Sequence, residues 1–277
     1  MSDLAARLRG LRAQAGAGQV PTVSTTNSVD AREQLRRLLG LRERQTPVPR
    51  PPAPVDRALP GDEIAPGLRY TEHWHAWLQP PAVIDASFAR MGALQTDRLL
   101  CLDTETTGLA GGTGTRAFQI GVGDWCGERF RIRQLTLTTL SAETTLLRTF
   151  ASWLAADTVL VSYNGKSYDV PLLATRYRLA RLPNPLAGLA HLDLLHPMRR
   201  RYRAVWPNCR LLTAERQLLG IIRENDLPGS EAPRAWLQYL RGGSARDLRR
   251  VAEHNAQDLR SLAGLLLRLA ESVDAAQ

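Results

Sequence analysis

Leu99-Leu100-Cys101-Leu102-Asp103-Thr104-Glu105-Thr106-Thr107-Gly108-Leu109 is the stretch on which the reading of the whole chain turns. An apolar run feeding into Asp-x-Glu predicts a buried strand, from about Arg98 to Thr104. Side chains alternate along a strand with period two, so Asp103 and Glu105 share one face. Two like charges held on a rigid strand repel, and a cation relieves them; hard oxygen ligands suit Mg²⁺ or Mn²⁺. Asp-x-Glu is also a common way to end a strand in solvent, so the pair alone leaves both readings open.

Two further stretches narrow the choice. Val161-Ser162-Tyr163-Asn164-Gly165-Lys166-Ser167-Tyr168-Asp169 follows a second apolar run, and His254-Asn255-Ala256-Gln257-Asp258 lies near the C-terminal end in a helical pattern. Taken in order, Asp-x-Glu, Asn-Gly-x-x-Tyr-Asp and His-x-x-x-Asp resemble the DEDD exonucleases of the RNase H-like superfamily, with the nearest match in its bacterial YprB-like branch. The resemblance covers roughly residues 62–270, and three ordered motifs are far more specific than any one of them.

The resemblance implies an α/β, RNase H-like fold: a mixed five-stranded sheet, three antiparallel strands and then parallel ones, flanked by helices. It implies a metal-dependent nuclease, a 3′-to-5′ exonuclease on single-stranded nucleic acid ends, using two divalent cations, Mg²⁺ or Mn²⁺. By the same resemblance Asp103, Glu105, Asp169 and Asp258 are the metal-binding acids, and His254 positions or deprotonates the attacking water. Thr106, Thr107, Gly108 and Leu109 then bracket the terminal nucleotide, Asn164 orients the substrate backbone, and Lys166 meets a phosphate. The chain departs from the family at the third motif: the four-residue step from His254 to Asp258 is that of Tyr-type members, whereas the residue is that of His-type members. A one-residue-longer step would land on Glu253. On a helix, residues four apart project from the same side, which favours His254.

Charge agrees with a polyanionic partner. Of 277 residues, 36 are Lys or Arg and 27 Asp or Glu, a formal net charge of +9. Lys166 is the one lysine, inside the second motif. Cys101, Cys126 and Cys209 are scattered without Cys-x-x-Cys spacing, which argues against a disulfide frame or zinc site and for a reducing compartment. No apolar run reaches membrane-spanning length and the N-terminus lacks a secretory apolar core, so a cytoplasmic protein with no membrane partner is expected.

Residues 1–60 read as a basic extension, separate from a domain spanning 61–273. Leu4, Leu8, Leu11 and again Leu35, Leu38, Leu41 fall at helical spacing among arginines, and Pro47 to Pro54 is a proline-rich linker. The extension suits nucleic acid, a protein partner, or packing on the domain. Gly61 to about Met91 reads as irregular, with His73 and His75 better explained by aromatic packing at a sheet edge than by metal. Strands follow near Phe118–Gly123, Glu128–Leu137, Thr158–Tyr163 and Ala190–Leu195, with helices near 141–154, 169–182, 208–220, up to Leu240, and a last long one to about Val273. Asp193 reads as a helix cap in preference to a support beside the site, and the arginines around Tyr202 as either a phosphate-and-ring surface or a solvated face. The competing functional class is a non-catalytic nucleic-acid-binding or scaffolding module on the same fold.

Overall fold

The computed structural model describes residues 55–108 and 114–274. The amphipathic leucine patterns of the extension, its proline-rich linker and Leu109 lie outside the described residues. Nine strands occur among the described residues, in chain order: β1 (Asp62–Ala65), β2 (Leu68–Ala76), β3 (Val83–Asp85), β4 (Ala93–Gln95), β5 (Leu99–Thr106), β6 (Ala117–Cys126), β7 (Arg129–Leu137), β8 (Val159–Ser162) and β9 (Ala190–Asp193). The helices are α1 (Glu143–Ala151), α2 (Asp169–Leu179), α3 (Leu195–Tyr202), α4 (Leu211–Ala214), α5 (Ala232–Leu240) and α6 (Arg246–Asp274).

Seven strands form one mixed sheet in the order β1-β2-β7-β6-β5-β8-β9, and β3 pairs β4 separately. Strands β5, β6 and β7 are antiparallel, and β8 and β9 run parallel to β5. That core is the expected one; the expected count of five is too small. The stretch read as irregular supplies β1 and β2, and β2 pairs with all nine residues of β7. Its mixed pattern of Arg, Glu, His and Trp hid it, because a strand second from the end of the sheet with an exposed face shows no clean apolar alternation. Trp77, just past β2, packs on Phe130 at 5.1 Å, as aromatic packing at the sheet edge requires.

Alternation along β5 sends its side chains to two cores. Leu100 and Leu102 join Leu146, Leu147 and Phe150 of α1 and Leu172, Leu173 and Tyr177 of α2. Leu99 and Cys101 join Met198 of α3 and Leu259, Leu262 and Leu266 of α6. Helix α6 is thereby laid against the face that Asp103 and Glu105 share. No helix among the described residues is long and apolar enough to cross a membrane.

The approach of α6 is set by one missing side chain. Gly121 of β6 is the register partner of both Asp103 on β5 and Gln134 on β7. Over it lies the fully buried Asn255, whose Oδ1 accepts from Gln134 Nε2 at 2.7 Å. The Nδ2 of Asn255 donates to Asp103 Oδ2 at 2.7 Å. A Cβ at Gly121 would collide with Asn255 Oδ1. Gly121→Ala is therefore expected to cost about 1–3 kcal/mol by overpacking, read as a lowered denaturant midpoint at unchanged slope. An unaltered midpoint would mean that Asn255 does not occupy this groove.

Candidate carboxylate site

Strand β5 outruns its parallel neighbour. Pairing with β8 stops at Cys101–Val161, so the β8 side of Asp103–Thr106 is open to side chains from elsewhere. Asp169, the first residue of α2, fills part of that opening, and Thr104 Oγ1 donates to its Oδ1. Thr104 points away from Asp103 and Glu105, so the cluster straddles the end of β5 and is not confined to one face of the sheet.

Helix α6 contributes from the other side. His254, Asn255 and Asp258 lie within one turn of it, and Asn255 touches both the carbonyl and the carboxylate of Asp103, at 3.2 and 2.7 Å. His254 Nε2 is 3.7 Å from Asp258 Oδ2. The five residues assigned to the site by their motifs, Asp103, Glu105, Asp169, His254 and Asp258, thus come together from β5, α2 and α6.

Burial dominates the electrostatics. Burial first, and then the charges of Asp258, Asp169 and Glu105, hold the Asp103 carboxyl well above the usual range. Glu105 is raised in the same way by burial, Asp258 and Asp169. Asp169 is pushed up to about 6 by burial against the opposing Thr104 hydrogen bond. Burial raises Asp258 too, opposed by His254 and Arg223. Asp103 and Glu105, raised by the acids beside them, cannot ionise together with those acids in a low-dielectric space without a compensating cation, and an all-oxygen donor set is what Mg²⁺ or Mn²⁺ takes. The chemistry of the donors fits a divalent ion. As the side chains stand, no group of three or more His, Cys, Asp or Glu among the described residues converges tightly enough to hold one.

A resident cation already lies at one acid. Arg223, in the segment between α4 and α5, donates to Asp258 Oδ1, to both oxygens of Glu215, and to Asp226 Oδ2 at 3.2 Å. Glu215 is fully buried and also accepts from Ser261 Oγ. It opens a single π-helical turn, Glu215–Leu219, that Gly220 ends at φ 68°. Asp226 in turn faces His254, its oxygens 2.8 and 2.9 Å from Nδ1.

The second-motif loop is organised by Asp193. Its Oδ1 accepts the amides of Asn164, at 2.8 Å, and of Leu195, the first residue of α3, at 3.0 Å. Its Oδ2 accepts the amide of Lys166 at 3.0 Å. Asp193 therefore both caps the next helix and ties down the loop. Asn164 adopts φ 69°, which Asn tolerates, and a Cβ at Gly165 would collide with Ser162. The side chains of Asn164 and Lys166 are exposed, and among the described residues no hydrogen bond or ion pair joins them to the carboxylates. After Glu105, Thr106 Oγ1 and Tyr168 OH both donate to the Gly108 carbonyl, at 2.9 and 3.0 Å. Farther out, the Tyr202 ring stacks on Trp206 with centroids 4.0 Å apart, so one of its faces is already covered.

Sequence reasoning missed Arg223, Asp226 and Glu215. Asp226 sits in Asp226-Leu227-Pro228-Gly229, which reads as a turn, and Arg223 is hidden in a chain rich in arginine. Glu215 stands beside Arg216 and Gln217, so no local pattern marks it as buried. Arg223→Leu would leave Glu215 buried without its cation, a loss of about 3–5 kcal/mol. Thermal or denaturant unfolding measures it, and a variant as stable as wild type would remove Arg223 from this role.

The chain is 35% identical over 179 residues to "Uncharacterized protein YprB" of Bacillus subtilis (strain 168), an alignment covering 64% of this chain and 43% of the relative. It thus spans less than half the length of that protein. It is also similar to the family B DNA polymerase of the hyperthermophilic archaeon Pyrobaculum calidifontis, with 18% identity and a TM-score of 0.48 over 62% of this chain and 24% of that one. The RNase H superfamily matches residues 100–270, more than half of the chain and the span that holds every acid of the cluster, and the chain belongs to that superfamily.

Proposed function

We propose that this RNase H-like domain hydrolyses phosphodiester bonds of nucleic acid, as a 3′-to-5′ exonuclease on single-stranded ends. Asp103, Glu105, Asp169 and Asp258 would hold two divalent cations, Mg²⁺ or Mn²⁺. The observation that carries this reading is the meeting of acids from β5, α2 and α6 in one largely buried cluster, where the charges of Asp169 and Asp258 raise Asp103 and Glu105. Bound there, such cations supply an acidified water and offset charge on the phosphoryl and leaving oxygens.

The chain's own groups do the rest. His254 presents Nε2 on the Asp258 side, where it takes a proton from the attacking water; imidazole suits that task near neutral pH. Asn255 holds Asp103 in place through the 2.7 Å bond. Thr106, Thr107, Gly108 and Leu109 bracket the terminal nucleotide, and the bonds from Thr106 and Tyr168 fix the Gly108 carbonyl. Asp193 occupies the amides of Asn164 and Lys166, so the loop meets substrate with its side chains. The Lys166 ammonium then reads a phosphate as a point charge and Asn164 orients the backbone. Residues 1–60 add a basic arm for nucleic acid or a protein partner, and a cytoplasmic setting agrees with the cysteine usage.

A second reading, a non-catalytic nucleic-acid-binding or scaffolding module, draws on the ion pair between Arg223 and Asp258, which satisfies one acid internally. Digestion of end-labelled single-stranded and duplex DNA and RNA, with and without Mg²⁺ or Mn²⁺, separates the two. Cation-dependent release of mononucleotides is expected. Asp103→Ala and Asp258→Ala should lose several orders of magnitude in rate, and His254→Ala about 10²- to 10⁴-fold. Variants as active as wild type would reject the assignment, and binding without digestion would favour the second reading.

The extension is tested separately. Asp56 accepts from Arg249 of α6 at 2.7 Å, and Arg57 donates to the carbonyl of Tyr239 of α5 at 2.8 Å, so the deletion should stop at residue 54. If the arm carries nucleic acid, its removal weakens binding and makes the fall of log K with log salt shallower. An unchanged salt slope assigns the arm to another partner.

A further inference from the structure

His254 stands between two neighbours that ask opposite things of its Nδ1. A carboxylate only accepts hydrogen bonds and a guanidinium only donates them. The Asp226 oxygens lie 2.8 and 2.9 Å from Nδ1, and Arg223 Nη1 lies 3.2 Å from it. The proton cannot satisfy both. The shorter contacts go to Asp226, and Arg223 Nη1 has an alternative acceptor in Asp226 Oδ2, also at 3.2 Å. With Nδ1 protonated, Nε2 keeps its lone pair, and Nε2 is the nitrogen that faces Asp258.

We infer that Asp226 is a positioning residue: by accepting the Nδ1 proton of His254 it selects the tautomer whose free Nε2 faces the carboxylate cluster. Its own placement is settled before any substrate arrives. Leu227, the next residue, is buried in the core, and Arg223 ties Asp226 to Glu215 and Asp258 from the other side. Removing the Asp226 carboxylate leaves Arg223 as the remaining neighbour of Nδ1. A donor there makes Nδ1 the acceptor, moves the ring proton to Nε2, and leaves no lone pair toward the cluster. The consequence for rate rests on the proposed hydrolysis; the tautomer itself does not.

The test has an arm for each. In metal-free, full-length protein labelled with ¹⁵N-histidine, long-range proton–nitrogen correlation at a pH where the ring is neutral reports which nitrogen of His254 carries the proton. The expected result is Nδ1–H in wild type and Nε2–H in Asp226→Ala. In the nuclease assay Asp226→Ala should lower kcat on the order of 10- to 100-fold with KM little changed. In a His254→Ala background it should cost little further in kcat, because the inferred role of Asp226 in the rate runs through that ring. Asp226→Glu, which keeps an acceptor, should restore Nδ1–H and part of kcat. Nε2–H in wild type, an unchanged tautomer in Asp226→Ala, or additive losses in the double variant would overturn the inference. A wild-type chain without nuclease activity would reject the proposed hydrolysis and leave the spectroscopic arm to decide the role of Asp226.

Discussion

The constraint on which this structure depends is the burial of several carboxyls around the end of one strand. In a low-dielectric space each ionised acid makes the next harder to ionise, and the surrounding chain answers with a donor for individual members. Asn255 serves Asp103, Thr104 serves Asp169, and Arg223 serves Asp258. The acids sit at the place where β5 runs on past β8, since that is where the sheet leaves a strand side uncovered while helices still exclude water.

Those donors also hold the fold together. Asn255 links β7 to β5 across the bare surface of Gly121, so the contact that seats α6 on the sheet is the contact that aims Asp103. Arg223 joins a buried glutamate in a π-helical turn, an aspartate in a loop and an aspartate in α6. A network of this kind is costly to break at any one member, because each partner left behind is a charge without water. Site and scaffold are therefore hard to separate by mutation, and effects on rate need a stability measurement beside them.

Asp193 repeats the same economy of means in the second-motif loop. One buried carboxylate accepts three backbone amides, fixing the left-handed turn at Asn164 and starting α3. The loop's side chains are thereby freed from holding its shape. The stacking of Tyr202 on Trp206 shows the opposite case, in which a ring that sequence would offer to a base is partly used for packing.

By itself the sequence determined the order of the strands that matter, the three motifs and the acids within them, because periodicity and motif spacing are local properties written directly in the chain. It also determined that His254 and Asp258 share a helix face, for the same local reason. It did not disclose β1 and β2, since strands at the end of a sheet with an exposed face carry no clear alternation. Nor did it reveal that Asp169 reaches β5 through Thr104, that Gly121 makes room for Asn255, or that Arg223, Glu215 and Asp226 surround His254 and Asp258. These are contacts between residues far apart in the chain, and whether a turn aspartate or one arginine among many meets a histidine is decided by how loops and helices close in three dimensions, where distance and burial give each charge its partner.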